Sequence, residues 1–488
     1  MIYKKLNHKC TDWAFLIIKT NMKKNLAFIL VSLFTLSLVS CMDEKFSSSP
    51  SDNISIQTDT VDYNTIFTTI KQPTSVIKIY NRNKTALTIS YIKVAGGEAS
   101  PFKMTVNGQK GQTFSNIDIF SKDSIYVFID MTLPENGKNT PVVVSDSLLI
   151  MCNGIEKKVI LTGSGQDVTI LKNDTVETDL TLTADKPYLV FGDIVVAENA
   201  TLSIEPGATL YFHNNSGMKV HGTLSAKGTA DKFIVMRGDR TDDIFTNVPY
   251  DSVSNQWNGI EFISKNTNEL EFVEMRSGKH AIDLWNDTLN QKIVINNCVI
   301  RNFGGYSIAA KNSDVKITNS IIANSGINAI RISGGKLKAT HCTIASYARK
   351  RSGAAVRIDN SDNDVATTVT SAFENCIIAG TYSSELALND FYKANAVNEN
   401  FNVIFKNCLV CNANTELSYF TNCSFAKTNS KIFTDTERYP YDFTLTDDSP
   451  ALNMADADIA QTLPNDIYGR NRLADGQPDA GAIEKTTE

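Results

Sequence analysis

The sequence predicts an all-β chain, with an immunoglobulin-like β-sandwich over residues 54–167 and a right-handed parallel β-helix with a C-terminal cap over 175–488. Three observations carry this. A four-residue pattern recurs as Asn297-Cys298-Val299-Ile300, Asn319-Ser320-Ile321-Ile322, His341-Cys342-Thr343-Ile344, Asn375-Cys376-Ile377-Ile378 and Asn407-Cys408-Leu409-Val410, at steps of 22, 22, 34 and 32 residues. Strands beyond residue 175 are separated by single-residue bends, whereas the runs before residue 167 end in hairpin-type turns. A 22-residue step suits one solenoid coil, and the longer steps are the same coil with an inserted loop.

The N-terminus reads first. Met22-Lys23-Lys24 is a positive n-region, and Leu26 to Val39 is an apolar stretch too short to span a bilayer comfortably. Leu38-Val39-Ser40-Cys41 resembles a bacterial lipobox, which assigns residues 1–21 to an upstream extension, 22–40 to a signal peptide and 41–53 to a Ser-rich tether lipidated at Cys41. Asp43-Glu44 sits where acidic export signals lie, so the expected location is the outer membrane, lipid-anchored at the cell surface, with its periplasmic face as the alternative. The membrane, through Cys41, is the first expected partner.

Composition bounds the rest. A chain of 488 residues with 42% hydrophobic and 20% charged content exceeds a single core and builds ordered domains. The first 40 residues hold six lysines and one acid, so the remainder has 41 basic and 52 acidic residues. Such a surface repels phosphates, and nucleic acid is not an expected partner.

Between Ile54 and Asp167, alternating runs such as Val76 to Tyr80, Leu87 to Val94 and Ser124 to Ile129 end at turn residues. Leu148 to Cys152 and Lys157 to Leu161 flank Asn153-Gly154, a hairpin signal. About seven strands without helical period suggest the sandwich. It reads as a spacer with no visible chemistry.

In the solenoid, coils about 4.8 Å apart stack like residues into ladders. Ile300, Ile322, Ile344, Ile378 and Val410 are assigned to an inward column. Asn297, Asn319, Asn375 and Asn407, interrupted by His341, form a bend ladder, because Asn tolerates left-handed backbone and its amides can bond up and down the stack. Cys298, Cys342, Cys376 and Cys408, with Ser320, fill a neighbouring column of small side chains. A Cys376–Cys408 bridge and a Cys411–Cys423 pair stay open. Zinc ligation by His341 with Cys342 is disfavoured, since adjacent ladder positions face different directions; no metal and no cofactor are expected.

Ligand chemistry on a β-helix is sought on one outer sheet beneath long loops. The two expanded coils carry Tyr347, Arg349, Lys350, Arg351, Arg357 and Asp359, then Tyr382, Glu385, Asp390 and Tyr392, with Arg331 about one coil earlier. Cations beside aromatics could hold an acidic glycan, or a cation of lowered pKa could act as a lyase base; a solvated basic loop is the plainer reading. Asp283, Asp359, Glu385 and Asp390 offer carboxylates for a glycosidase, but no telling pair. The dense stretch around Gln256-Trp257-Asn258 is expected to dock a loop across a coil, with sugar stacking as the alternative. Asp-Ser/Thr-hydrophobic triplets look like an O-glycosylation motif, and Thr60 and Thr175 are the candidate sites.

Further segments carry a family resemblance: Asp123 to Phe128, Leu182 to Tyr188, Pro206-Gly207 with Leu210 to His213, Gly238-Asp239-Arg240, Ser449-Pro450-Ala451-Leu452, Asp466 to Arg472, and Asp479 to Glu484. Together they resemble a Bacteroidetes family of lipoproteins described as right-handed parallel β-helix repeat proteins, the last segments looking like a C-terminal signature common to β-helix surface proteins. The resemblance implies fold and location and carries over no activity; Arg470 and Asp479 are expected to make a capping turn over the last coil. Three functional readings follow. The first is a lipoprotein presenting the β-helix for non-catalytic contact with a polysaccharide or surface protein. The second is a polysaccharide lyase or glycoside hydrolase acting on an acidic polysaccharide, and the third a structural envelope protein.

Overall fold

The computed structural model describes residues 44–71, 73–245, 248–285, 290–362, 365–391, 400–415, 418–428 and 430–486. Cys10, Cys41 and Tyr392 lie outside them. Among the described residues the chain is nearly all β, with one short α-helix, Ala457–Thr462. No described helix is long and apolar enough to cross a membrane.

The N-terminal module contains two five-stranded sheets. Their strand pairs run antiparallel, and alternation places Ile77, Ile79, Met104, Val127 and Ile129 inward from one sheet and Ile89, Ile92, Leu148 and Ile150 inward from the other. The segment expected to be a loose tether is tied down from its first described residue. Phe46 bridges Ala86, the Ser121 amide donates to Glu44 Oε2 (3.3 Å), and Asn153 Nδ2 donates to Ser49 O (3.0 Å).

From Thr169, six residues before the expected start, 26 strands wind into one continuous parallel sheet. Parallel crossovers are right-handed by chain chirality, and the solenoid is a right-handed β-helix. One coil shows the plan. Ile308–Thr318 supplies a strand to sheet I (residues 308–311) and, past a kink at Asn312, one to sheet II (314–318); Ile321–Ala323 then joins sheet III. Longer connections occur both from sheet III to sheet I, as between Gly238 and Ile260, and from sheet I to sheet II, as between Asp359 and Val369.

The inward column is realised and extended. Leu210, Met236, Met275, Ile300, Ile322, Ile344, Ile378 and Val410 pair in register rung to rung, all fully buried. The bend between sheets II and III is left-handed at Asn297, Asn319, His341, Asn375 and Asn407, with φ of 52°, 47°, 50°, 52° and 51°. Phe272 joins at φ 47°, a strained choice that the asparagine rule would not select.

Their amides do not chiefly bond one another. Asn319 Nδ2 donates to Asn465 O (2.7 Å), Asn375 Nδ2 to Asp456 O (3.0 Å) and Asn407 Nδ2 to Asp456 Oδ2 (3.0 Å), while Asn375 also reaches His341 Nε2 (2.9 Å). The ladder therefore grips the C-terminal segment.

That segment is not a turn over the last coil. It runs along the solenoid and covers the outer side of sheet III, where Ile321, Ala345, Ile377, Ala379 and Leu409 pack under Phe433, Phe443, Leu445, Ala482 and Ile483. The Gly481 amide donates to Asn375 O (2.8 Å) and Ala482 N to Thr343 Oγ1 (3.0 Å). Arg470 Nη1 donates to Glu484 O, and Asp479 accepts from the Asn453 and Lys485 amides, so these two side chains are pegs within the segment.

The seven described cysteines are free thiols. Neither open bridge forms; the ladder thiols take hydrogen bonds along the stack, and Cys411 Sγ donates to Tyr382 O (3.3 Å). Cys342 N donates to Cys376 Sγ and Cys376 N to Cys408 Sγ, both at 3.4 Å, while Ser320 Oγ serves Cys298 N at 3.0 Å.

Candidate functional site

With sheet III covered, sheet I presents the site. Its outward positions form one column in register: Lys219, Glu261, Asp283, Ala309, Arg331, Arg357 and Ala387. Period-two alternation sends these side chains out while Ile282, Ile308, Ile330, Ile332, Val356 and Ile358 fill the core. Beyond Lys219, which pairs with Asp193, the column carries carboxylates at Glu261 and Asp283 and then guanidiniums at Arg331 and Arg357.

The cationic half is held in place before any ligand arrives. The Arg331 guanidinium lies 4.4 Å from the Trp285 ring centroid and 5.4 Å from that of Tyr306, and Nη1 donates to the Tyr306 hydroxyl (2.9 Å). Its buried Nε has no partner. Arg357 Nε pairs with Asp359 Oδ2 at 2.8 Å, and with 44% of its side chain exposed it keeps donors free for a ligand. Asp359 also accepts from Asn389 Nδ2, and Asn360 Nδ2 donates to Asp390 Oδ1 (3.1 Å).

In the acidic half, burial pushes the Asp283 carboxyl up, opposed by the Trp285 amide (2.9 Å) and by His280. Burial also lowers His280, whose ring stacks on Tyr306 at 5.5 Å. Among the described residues no cluster of three or more His, Cys, Asp or Glu is arranged to hold a metal.

The expected cationic cluster does not converge in one groove. Arg331, Arg357, Asp359 and Asp390 lie along sheet I. Arg351 is withdrawn from any ligand, since its side chain is 2% exposed, forks onto the fully buried Glu385 carboxylate and lies 3.6 Å over the Tyr382 ring. Tyr382 in turn donates its hydroxyl to Arg351 O (2.9 Å). The three clamp the turn between sheets III and I, and burial of Glu385 is tolerated because Arg351 and two backbone amides satisfy it. Tyr347 packs edge-on against Phe433 at 6.1 Å, and burial pushes its hydroxyl up. Arg349 and Lys350 stand exposed on the wall of a separate groove of about 1040 Å³, with Asn302, Asn324 and Tyr441.

Trp257 is core, stacked on Phe212 at 4.4 Å with Nε1 donating to Arg276 O (2.8 Å), so it offers no sugar a face. Thr60 and Thr175 are exposed, but both sit within strands. Lys219, Glu261, His280, Trp285 and Tyr306 were not singled out by the sequence reading. Stepping back 22 residues from Arg331 reaches Ala309, and the same step from Asp283 reaches Glu261. The insertions between these coils hide the column.

Fold and face together define a parallel β-helix protein whose sheet III is covered while sheet I keeps a charged, partly open face. No family model matches the chain. A stretch of 75 residues, 15% of this chain, is 37% identical to Protein bark beetle of Drosophila melanogaster, and it spans 2% of that protein's length. Among solved structures the chain is similar to Dex49A from Penicillium minioluteum, at TM-score 0.20 and 10% identity over 81% of this chain and 82% of that one. It is also similar to a family 123 glycoside hydrolase from Clostridium perfringens, studied for glycolipid glycan hydrolysis, at TM-score 0.18 and 10% identity over 27% and 30% of the two chains. Likenesses this distant add nothing to what the strand ladder itself shows.

Proposed function

We propose that this chain is a lipid-anchored envelope protein whose sheet I face binds an acidic glycan without cleaving it. The observation that carries the reading is the pair Arg331 and Arg357, in register on successive rungs, with the first held between two aromatic rings and the second half-open to solvent. Guanidiniums one rung apart, about 4.8 Å, suit carboxylate or sulfate groups of an extended chain, which a planar fork grips better than an ammonium does. Isothermal titration against acidic and neutral polysaccharides tests this. An acidic chain is expected to bind in a salt-sensitive way, and Arg357→Gln to weaken it about tenfold. Equal binding of neutral chains, or none to any chain, defeats the reading.

One observation favours hydrolysis as a second reading. Glu261 and Asp283 are successive outward residues of the same column, and burial raises Asp283 toward the protonated form a general acid needs. A rung spacing of about 4.8 Å is near the carboxylate separation used by retaining glycosidases. New reducing ends in the same incubations, lost in Asp283→Asn, would establish it; ultraviolet-absorbing unsaturated products would mark a lyase instead.

A further inference from the structure

We propose that the edge of the N-terminal module where the chain enters it is a membrane-contact surface, with an anionic phospholipid layer as its partner. This rests on the reading of Cys41 as the lipidated residue. Three segments meet at this edge. Residues 44–46 are joined to 81–86 by the Phe46–Ala86 bridge and by the Ala86 amide, which donates to Lys45 O (2.9 Å). Residues 119–122 join both, through the Ser121 amide on Glu44 Oε2 and the Ser121 hydroxyl on Asn83 O (3.1 Å). Buried Asn81 fixes the junction, its Nδ2 donating to Thr85 O, Ile119 O and Phe120 O at 2.8 to 3.0 Å.

What this rigid edge shows to solvent is unusual for so acidic a chain. Phe46 and Phe120 are 50% and 53% exposed, and around them Lys45, Arg82, Lys84 and Lys122 are all exposed. Two acids lie on or beside these segments, Glu44, which accepts from the Ser121 amide, and Asp123, which accepts from that of Ser124 (2.7 Å), and the four cations outnumber them. Cys41 precedes Glu44 by three residues, at most about 11 Å of extended chain. An acylated Cys41 would therefore hold the patch near one Debye length of the headgroups, about 8–10 Å. There each cation is attracted to anionic lipid and aromatic rings enter the interface. The acyl chains supply attachment; the patch sets which way the module faces.

The mature chain with Cys41→Ser is mixed with vesicles of phosphatidylglycerol and phosphatidylcholine, and with phosphatidylcholine alone. Sedimentation with the anionic vesicles only is expected, falling about tenfold in Lys84→Glu/Lys122→Glu. In the acylated chain on the same vesicles made with brominated lipid, Phe120→Trp should be quenched. Glu98→Trp should not, since it follows the far end of the strand that starts at Leu87, beside Ile119. Binding indifferent to phosphatidylglycerol, or quenching at Glu98→Trp in place of Phe120→Trp, overturns the surface. Palmitate labelling of the parent chain reads the anchor separately. Label on Cys41 without phosphatidylglycerol dependence sinks the surface and leaves the anchor; dependence without label does the reverse.

Discussion

Sheets I and III are outer faces of one solenoid, built from the same coils, yet the chain treats them oppositely. On sheet III the outward residues Ile321, Thr343, Ile377 and Leu409 are as buried as the inward ones, because the C-terminal segment lies over them. On sheet I the equivalent positions are Asp283, Ala309, Arg331 and Arg357, and nothing among the described residues is laid over Arg357. Charge follows cover. Arg472, on the inner side of the segment, is fully buried and reaches Asn319 Oδ1 (3.0 Å) and Glu484 Oε2 (3.5 Å); Arg357 keeps an exposed edge. A solenoid thus separates an arginine that fastens the fold from one that can meet a ligand by deciding which sheet is roofed.

The largest test plants a charge on each face. Ile377→Asp puts a carboxylate under the roof beside Gly481 and should cost about 4 kcal/mol, through lost packing and an unpaired buried charge. Ala387→Asp, outward on sheet I, should change stability by less than about 0.5 kcal/mol. Urea unfolding of both measures the asymmetry, and equal effects would mean the roof is not part of the fold. Gly481→Ala comes next, at about 2 kcal/mol. Its φ of +96° suits glycine, and an added Cβ would stand 2.7 Å from Ile377 Cδ1.

Much of this was legible. The stride of 22 residues placed the Ile300 to Val410 column and the left-handed bends correctly, because inward packing and bend sterics repeat in every coil. The roof was not found, although a trace of it was present. Ile321-Ile322, Ile377-Ile378 and Leu409-Val410 are apolar at consecutive positions, the mark of a strand buried on both sides. The 22-residue stride by itself assigns only the inward member of each pair. The candidate site suffered from loop inserts. Arg351 and Tyr382 are neighbours in stacked turns from sheet III to sheet I, but charge and ring chemistry alone cannot tell a clamp from a ligand site; the fully buried Glu385 decides it.

Acidity should read the roof from within. Burial pushes the Glu484 carboxyl up to about 8 from an ordinary 4.5, with Asp479 adding to it and Arg472 opposing. A carboxyl raised in the folded state favours folding below its unfolded value and loses that contribution as pH climbs through about 8. Amides of residues 479–485 should therefore be best protected near pH 5 and progressively released toward pH 9. Glu484→Gln, compared at each pH, should flatten the trend; an unchanged slope would place the titrating group elsewhere.

The smallest effect on stability falls on sheet I. Arg357→Gln removes a half-exposed pair with Asp359 and should move the unfolding free energy by under about 0.5 kcal/mol. Arg472→Met, within the roof, should cost about 3 kcal/mol, because it strands Asn319 Oδ1 and the Glu484 carboxyl. If the sheet I arginine proved as costly as the one in the roof, Arg357 would be a fastener too, and the face would lose its claim to a free, ligand-facing cation. A silent melt together with weakened glycan binding in the same variant would separate the two roles on a single side chain.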